Sequence, residues 1–252
     1  MKRALAAVAI LLAACSTQPT DVGSGVNLKE ASRINTELGV TYMRKGDLKL
    51  AEEKLKRAVA EDPHSSIAYT GLGILYSRRG LDDEAEEAFK EAISLDGSNP
   101  DSLNNYGSFL CSKGKTDRAV TLFEKAAKNP DYPQPELAWT NAGVCVRSKD
   151  PDKAEGYFRE ALKANPQYPD ALAQFASLSY ARADYLRARA FLQRFEAVAP
   201  ATPNTLWLRA KTETALGDDT TARMYEQRLK TQFPEAQITD DPASGATTPD
   251  SQ

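Results

Sequence analysis

A pattern that returns about every 34 residues, over some 200 of the 252 positions, constrains this chain more than any other feature. Each copy has a small residue at position 8, a large one at 11 and alanine at 20. An apolar residue follows at 24, then alanine at 27 and proline near 32. The first copy starts at Ser32 and fills these places with Gly39, Tyr42, Ala51, Leu55, Ala58 and Pro63. The next start at Ser66 (Gly73, Tyr76, Ala85, Phe89, Ala92) and at Pro100 (Gly107, Leu110, Ala119, Phe123, Ala126). A fourth near Glu136 has Trp139, Gly143, Val146, Ala154, Phe158, Ala161 and Pro166. The fifth, from Pro169, has Leu172, Ala176, Ala188, Leu192 and Pro200; the sixth, from Pro203, has Ala210, Ala222, Leu229 and Pro234. A fixed period of this length belongs to a stacked array, in which no unit buries its apolar face alone and neighbours supply the core.

The residues fit a helix, a turn and a second helix packed antiparallel to the first. Small residues at 8 and 20 let the two backbones approach, and positions 4, 7, 11 and 24 fill the space between them. Stop and start signals fall where the turns belong: Gly46-Asp47, Gly80 then Asp82, Gly114 then Thr116, and Asp150-Pro151. Pro63, Pro166, Pro200 and Pro234 interrupt the chain where each second helix ends. This pattern resembles the tetratricopeptide (TPR) repeat. The resemblance implies an all-α right-handed superhelix, an α-solenoid of six repeats over 32–234, starting near 32, 66, 100, 136, 169 and 203. Ser179, Arg209, Glu213 and Glu226 stand where the pattern wants apolar residues. In terminal repeats such substitutions read as a polar cap facing water.

Residues 1–14 read as a signal peptide rather than as part of the fold. Lys2 and Arg3 precede an apolar run, Ala4 to Leu12, that falls short of the roughly 20 residues needed to span a bilayer. Leu12-Ala13-Ala14-Cys15 resembles the bacterial lipobox, which implies cleavage before Cys15 and acylation of its thiol and new amine. Several acyl chains hold a protein at a membrane far more firmly than one. Ser16 follows the cysteine, where aspartate would imply inner-membrane retention, so the expected place is the periplasmic face of the outer membrane. Residues 15–31, with Gly23-Ser24-Gly25, read as a flexible tether reaching roughly 20 Å, and 235–252 as a disordered tail.

Loss of the signal takes Lys2 and Arg3 and leaves 30 basic against 35 acidic residues. That balance suits a soluble protein and gives no reason to expect nucleic acid as a partner. No enzyme is expected either. His64, the one histidine, follows Pro63 in a turn and reads as a surface residue, and no cysteine–histidine cluster has zinc spacing. Nucleophile-elbow, P-loop and dinucleotide signatures are missing from the sequence. Asp82, Asp83, Glu84, Glu86 and Glu87 fall on a solvated face. The reading therefore includes no catalytic or metal-binding residue, no small-molecule substrate, and no cofactor beyond the lipid on Cys15. Cys111 and Cys145 lie on the first helices of adjacent repeats. They are either two buried thiols acting as small hydrophobes or a disulfide joining repeat three to repeat four. An oxidising compartment favours the disulfide.

The concave face of a TPR stack is lined by its first helices at positions 2, 5, 9 and 12, and is the family's usual ligand surface. Here it would present Val40, Met43, Thr70, Ile74, Asn104, Ser108, Leu137, Thr140 and Val144, a mixture suited to an extended peptide or a partner helix. Asn105 and Asn141, both at position 6, could bind a peptide backbone or satisfy neighbouring helices. The segments Leu103-Asn104-Asn105-Tyr106-Gly107-Ser108-Phe109-Leu110-Cys111, Asn129-Pro130-Asp131-Tyr132-Pro133 and Trp139-Thr140-Asn141-Ala142-Gly143-Val144-Cys145 resemble the type IV pilus biogenesis/stability lipoproteins (PilF/PilW). That resemblance spans anchor, tether and six repeats, and departs only in the acidic tail. It implies a pilotin that carries secretin subunits to the outer membrane and supports their multimerisation. The alternative is another periplasmic TPR lipoprotein, serving outer-membrane protein insertion or cell-wall enzymes.

Overall fold

The computed structural model describes residues 27–236, and all regular structure within them is helical. Six antiparallel pairs follow one another: α1 (Leu28–Arg44) with α2 (Leu48–Glu61), α3 (Ser66–Arg78) with α4 (Asp82–Leu95), and α5 (Pro100–Ser112) with α6 (Thr116–Ala127). Then come α7 (Pro135–Val146) with α8 (Pro151–Ala164), α9 (Pro169–Ala181) with α10 (Tyr185–Glu196), and α11 (Pro203–Ala215) with α12 (Asp219–Gln232). The chain is an all-α right-handed superhelix, with the odd-numbered helices packed against one another from repeat to repeat. Repeat starts at 66, 100, 136, 169 and 203 fall within one residue of a helix start.

The first boundary differs. Asn27 accepts a hydrogen bond from the Glu30 backbone N–H and starts α1 at Leu28, so residues 28–31, assigned above to the tether, are helical. The repeat frame starts at Ser32, and a helix cap lies outside any such period. The remaining tether, the lipobox with Cys15, the signal peptide and the tail from 237 lie outside the described residues.

The repeat's small and apolar positions converge between paired helices. Ala51, Leu55, Phe89, Phe123, Phe158 and Leu192 are all buried, and the position-8 glycines lie directly beneath the large residues among them. A Cβ on Gly73 would sit 2.8 Å from the Phe89 ring, and one on Gly107 would sit 2.8 Å from Phe123. The turns use glycine for a second reason. Gly46, Gly80, Gly114 and Gly217 take φ between 70° and 78°, left-handed backbone that costs glycine nothing. In the fifth repeat Ala183 adopts the same conformation with a Cβ, at φ 58°.

Charged residues tie successive repeats together on the other face. Arg79 reaches Glu52 at 2.5 Å, Lys115 reaches Glu86 at 2.7 Å, and Arg182 reaches Glu155 at 2.7 Å. The polar residues of the last two repeats do not form the expected water-facing cap. Ser179, Arg209 and Glu213 are buried, and only Glu226 is exposed. Arg209 pairs with Glu213 at 2.8 Å, Arg189 closes on the same carboxylate, and the Arg209 guanidinium lies 5.1 Å from the Tyr225 ring centre. A buried carboxylate held by two guanidiniums thus replaces apolar packing where α10 meets α11.

A groove along the first helices

The groove residues divide by depth. Position 5 belongs to the seam between first helices: Thr70, Asn104 and Thr140 are buried, not presented. Thr70 Oγ1 donates to the Ser66 carbonyl at 2.9 Å and lies 2.7 Å from Ser102 Oγ on the next repeat. Thr140 Oγ1 donates to the Glu136 carbonyl at 2.7 Å. Asn141 Nδ2 donates to Asn104 Oδ1 at 2.9 Å, joining repeats three and four, while Asn105 donates to the Asp101 carbonyl at 2.8 Å. Asn141 thus bonds a neighbouring first helix, and Asn105 bonds within its own. Small polar side chains suit the seam because neighbouring helices approach closely and an i−4 carbonyl is always at hand.

Met43 also turns inward, joining Leu55, Leu72 and Leu75 in the core of the first two repeats. Position 9 makes the floor: Val40, Ile74 and Val144 are half-buried and Ser108 is exposed. Leu137 is half-buried against Ala161 and Tyr168. Ile67, at position 2 of its repeat and 60% exposed, continues the apolar strip and was not among the residues named from sequence. The frame already assigned position 2 to the groove, so Ile67 was legible there.

Cys111 and Cys145 form a disulfide, with their Cα atoms 5.7 Å apart. It pins the far ends of α5 and α7 under the middle of the groove.

At the opposite rim, where α5, α7 and α9 begin, Asp101, Glu136 and Asp170 gather with Tyr132 and Tyr168 from the preceding loops. Tyr168 Oη donates to Asp170 Oδ2 at 3.3 Å, and Asn165 Nδ2 donates to Glu136 Oε1 at 3.3 Å. Asp101 and Asp170 stand at exposed helix starts, and partial desolvation there raises their carboxyls. Burial raises both phenols as well, helped by Asp101 and Glu136 at Tyr132, and by Asp170 and Glu136 at Tyr168. Sequence reasoning missed this cluster, although Asp101 and Asp170 stand at position 2 and Glu136 beside it.

Tetratricopeptide-repeat family models match residues 36–100 and 111–169, 88–121, and 145–212. The type IV pilus assembly protein PilF of Pseudomonas aeruginosa is 28% identical over 206 residues, spanning 81% of this chain and 82% of that protein. The solved structure of Pseudomonas aeruginosa PilF superposes with a TM-score of 0.73 at 27% identity, covering 83% of this chain and 95% of that one. That of PilW, a widely conserved type IV pilus biogenesis factor, gives 0.74 at 30% identity, covering 82% and 95%. The chain belongs to the PilF/PilW family of TPR proteins. The fold is that of a protein-interaction scaffold. Among the described residues of this family member, no group of three or more histidine, cysteine or carboxylate side chains is placed to hold a metal ion, and no helix is long and apolar enough to cross a membrane.

Proposed function

We propose that this chain is a pilotin of type IV pilus biogenesis. It is held on the periplasmic face of the outer membrane by a lipid on Cys15, and it uses its repeats to bind secretin subunits and promote their multimerisation. The observation that carries the reading is the likeness to PilW, which extends over 95% of that structure rather than over a single repeat. The half-open apolar strip of Val40, Ile67 and Ile74 supports the binding part: an accessible apolar surface in a concave face suits a partner polypeptide. The role is that of a carrier, with no catalysis and no cofactor beyond the lipid.

The test is secretin assembly in a strain lacking this gene, read as detergent-resistant multimers in outer-membrane fractions. Monomers should accumulate, with multimers restored by the wild-type chain and not by Cys15→Ala. That variant should leave a folded periplasmic protein; its persistence in outer membranes would overturn the anchor. Normal multimers in the null strain would overturn the pilotin role.

A further inference from the structure

Positions 3 and 7 of each first helix are where one repeat receives the repeat before it. Position 3 holds Ala68, Ser102, Ala138, Ala171 and Thr205 in repeats two to six, and all five are buried. Position 7 holds Leu72, Tyr106, Ala142, Phe175 and Arg209, buried as well. Each of these first helices packs against both helices of the preceding repeat. Among the described residues no helix precedes α1, and there the same two places are open. Position 3 is Ile34, 44% exposed, and position 7 is Leu38, 39% exposed.

A helix that ends a stacked array and meets water is expected to turn a polar face outward. At the other end α12 does so: Arg223, Glu226, Gln227 and Lys230 are exposed, with Met224 as its one large exposed apolar residue. The apolar face is therefore a property of α1 and not of array ends in general. Nor does the polar α12 of a second copy complement it, which disfavours head-to-tail growth.

Three features select the occupant. The first is size: Ile34 is bulkier than any residue at position 3 of the other repeats, so a further repeat of this kind would not seat as closely. Side chains of this size suit a helix packed alongside at about 8–10 Å. The second is charge. Over the same turns α1 carries Glu30, Arg33 and Glu37, and the arginine donates to both acids, so this flank has one acid in excess and nothing to attract an anionic bilayer. The third is symmetry. Ile34 and Leu38 lie one turn apart on one side of the helix. Two copies of α1 laid antiparallel place Ile34 of each against Leu38 of the other, two identical contacts about a two-fold axis.

We propose that this face is a self-association surface, through which two copies of the chain pair α1 to α1 in a closed, two-fold dimer. The inference stands apart from the pilotin reading. A lipid on Cys15 would strengthen the pairing by holding copies on one membrane.

The test is sedimentation equilibrium of the Cys15→Ala chain purified from the periplasm, over a series reaching about 1 mM. A monomer–dimer equilibrium is expected. Ile34→Lys and Leu38→Glu, each melting like wild type, should weaken it about tenfold or more, and Met224→Glu should leave it unchanged. Mixing the Ile34→Lys and Leu38→Glu chains should restore a dimer containing one of each, because the new lysine then faces the new glutamate. Monomer throughout the series, species that grow beyond a dimer, or a dimer lost with Met224→Glu but not with the α1 variants would each overturn the proposal. So would a mixture no more associated than its components. A monomeric chain that binds vesicles of phosphatidylethanolamine and phosphatidylglycerol, and releases them with Leu38→Glu, would give the face to the bilayer instead. Dimers beside normal secretin multimers in the null strain remove the pilotin role alone, and monomers beside lost multimers remove the dimer alone.

Discussion

Replacing Gly143 by alanine tests the packing logic of the whole array, because one methyl group must fail there and succeed a few residues away. A Cβ on Gly143 would lie 2.4 Å from Phe158 Cε1 and 2.7 Å from Cδ1, against the 3.4 Å or more of ordinary contact. Phe158 is fully buried and backed by Phe175, with ring centres 6.1 Å apart, so the ring cannot step aside without disturbing repeat five. Overpacking of this kind costs about 1–3 kcal/mol, and an approach this close belongs at the upper end. Alanine's better helix propensity offsets about 1 kcal/mol, leaving a net loss of about 2 kcal/mol. Gly156 is the matched control: it sits inside α8, is exposed, and would place its Cβ against nothing within 4 Å. Gly156→Ala should therefore stabilise by about 0.5–1 kcal/mol. For a domain of this size 1 kcal/mol is about 2–4 °C, so thermal melts should move down by about 4–8 °C for Gly143→Ala and up by a few degrees for Gly156→Ala. Phe158→Leu combined with Gly143→Ala should cost less than the two single losses together, since the shorter side chain vacates the contested space. A Gly143→Ala protein that melts at or above wild type would refute the reasoning.

The disulfide closes a loop of 34 residues, so Cys111→Ser with Cys145→Ser should lower stability by about 3–4 kcal/mol in urea titrations. Two free thiols in the purified oxidised protein, found by mass, would contradict the bond. Glu213→Ala strips the buried Arg209 of its partner and should cost about 3–5 kcal/mol, measured the same way; a neutral result would show the cluster to be dispensable. The Glu86 carboxyl is held down to about 2 by its hydrogen bond from Lys115, with Lys90 adding to it. Its folded value lies below the ordinary 4.5, so its contribution is full above pH about 4.5 and disappears as pH falls toward 2. Glu86→Gln should flatten stability over that window by at most about 3 kcal/mol, and parallel pH profiles for the two proteins would rule this out.

The fold was legible because its main determinants are periodic. Glycine under phenylalanine, as at Gly73 and Phe89, is a local rule repeated often enough to be read without neighbours in hand. Where repeats meet, the rule weakens. Arg209 and Glu213 looked like surface residues because each is charged, and nothing in their spacing showed that Arg189 would arrive from the preceding repeat to neutralise them. Thr70 and Asn104 carried the right position number for the groove, yet closely approaching first helices draw small polar residues into the seam. The start of α1 depended on Asn27, a single cap outside the repeat. Cys111 and Cys145 could be paired because adjacent first helices bring their ends together. The acidic rim was hidden for the opposite reason: it is assembled from three helix starts and two loops.

The most direct test of the central claim is secretin multimerisation supported by Ile67→Glu in the null strain, with Lys90→Glu on the opposite face as control. Ile67 is 60% exposed, so the charge enters the groove without entering the core. We predict that Ile67→Glu, folded and melting like wild type, leaves secretin as monomers while Lys90→Glu restores multimers. Full multimers with Ile67→Glu, or their loss with Lys90→Glu alone, would contradict a pilotin that acts through its concave face.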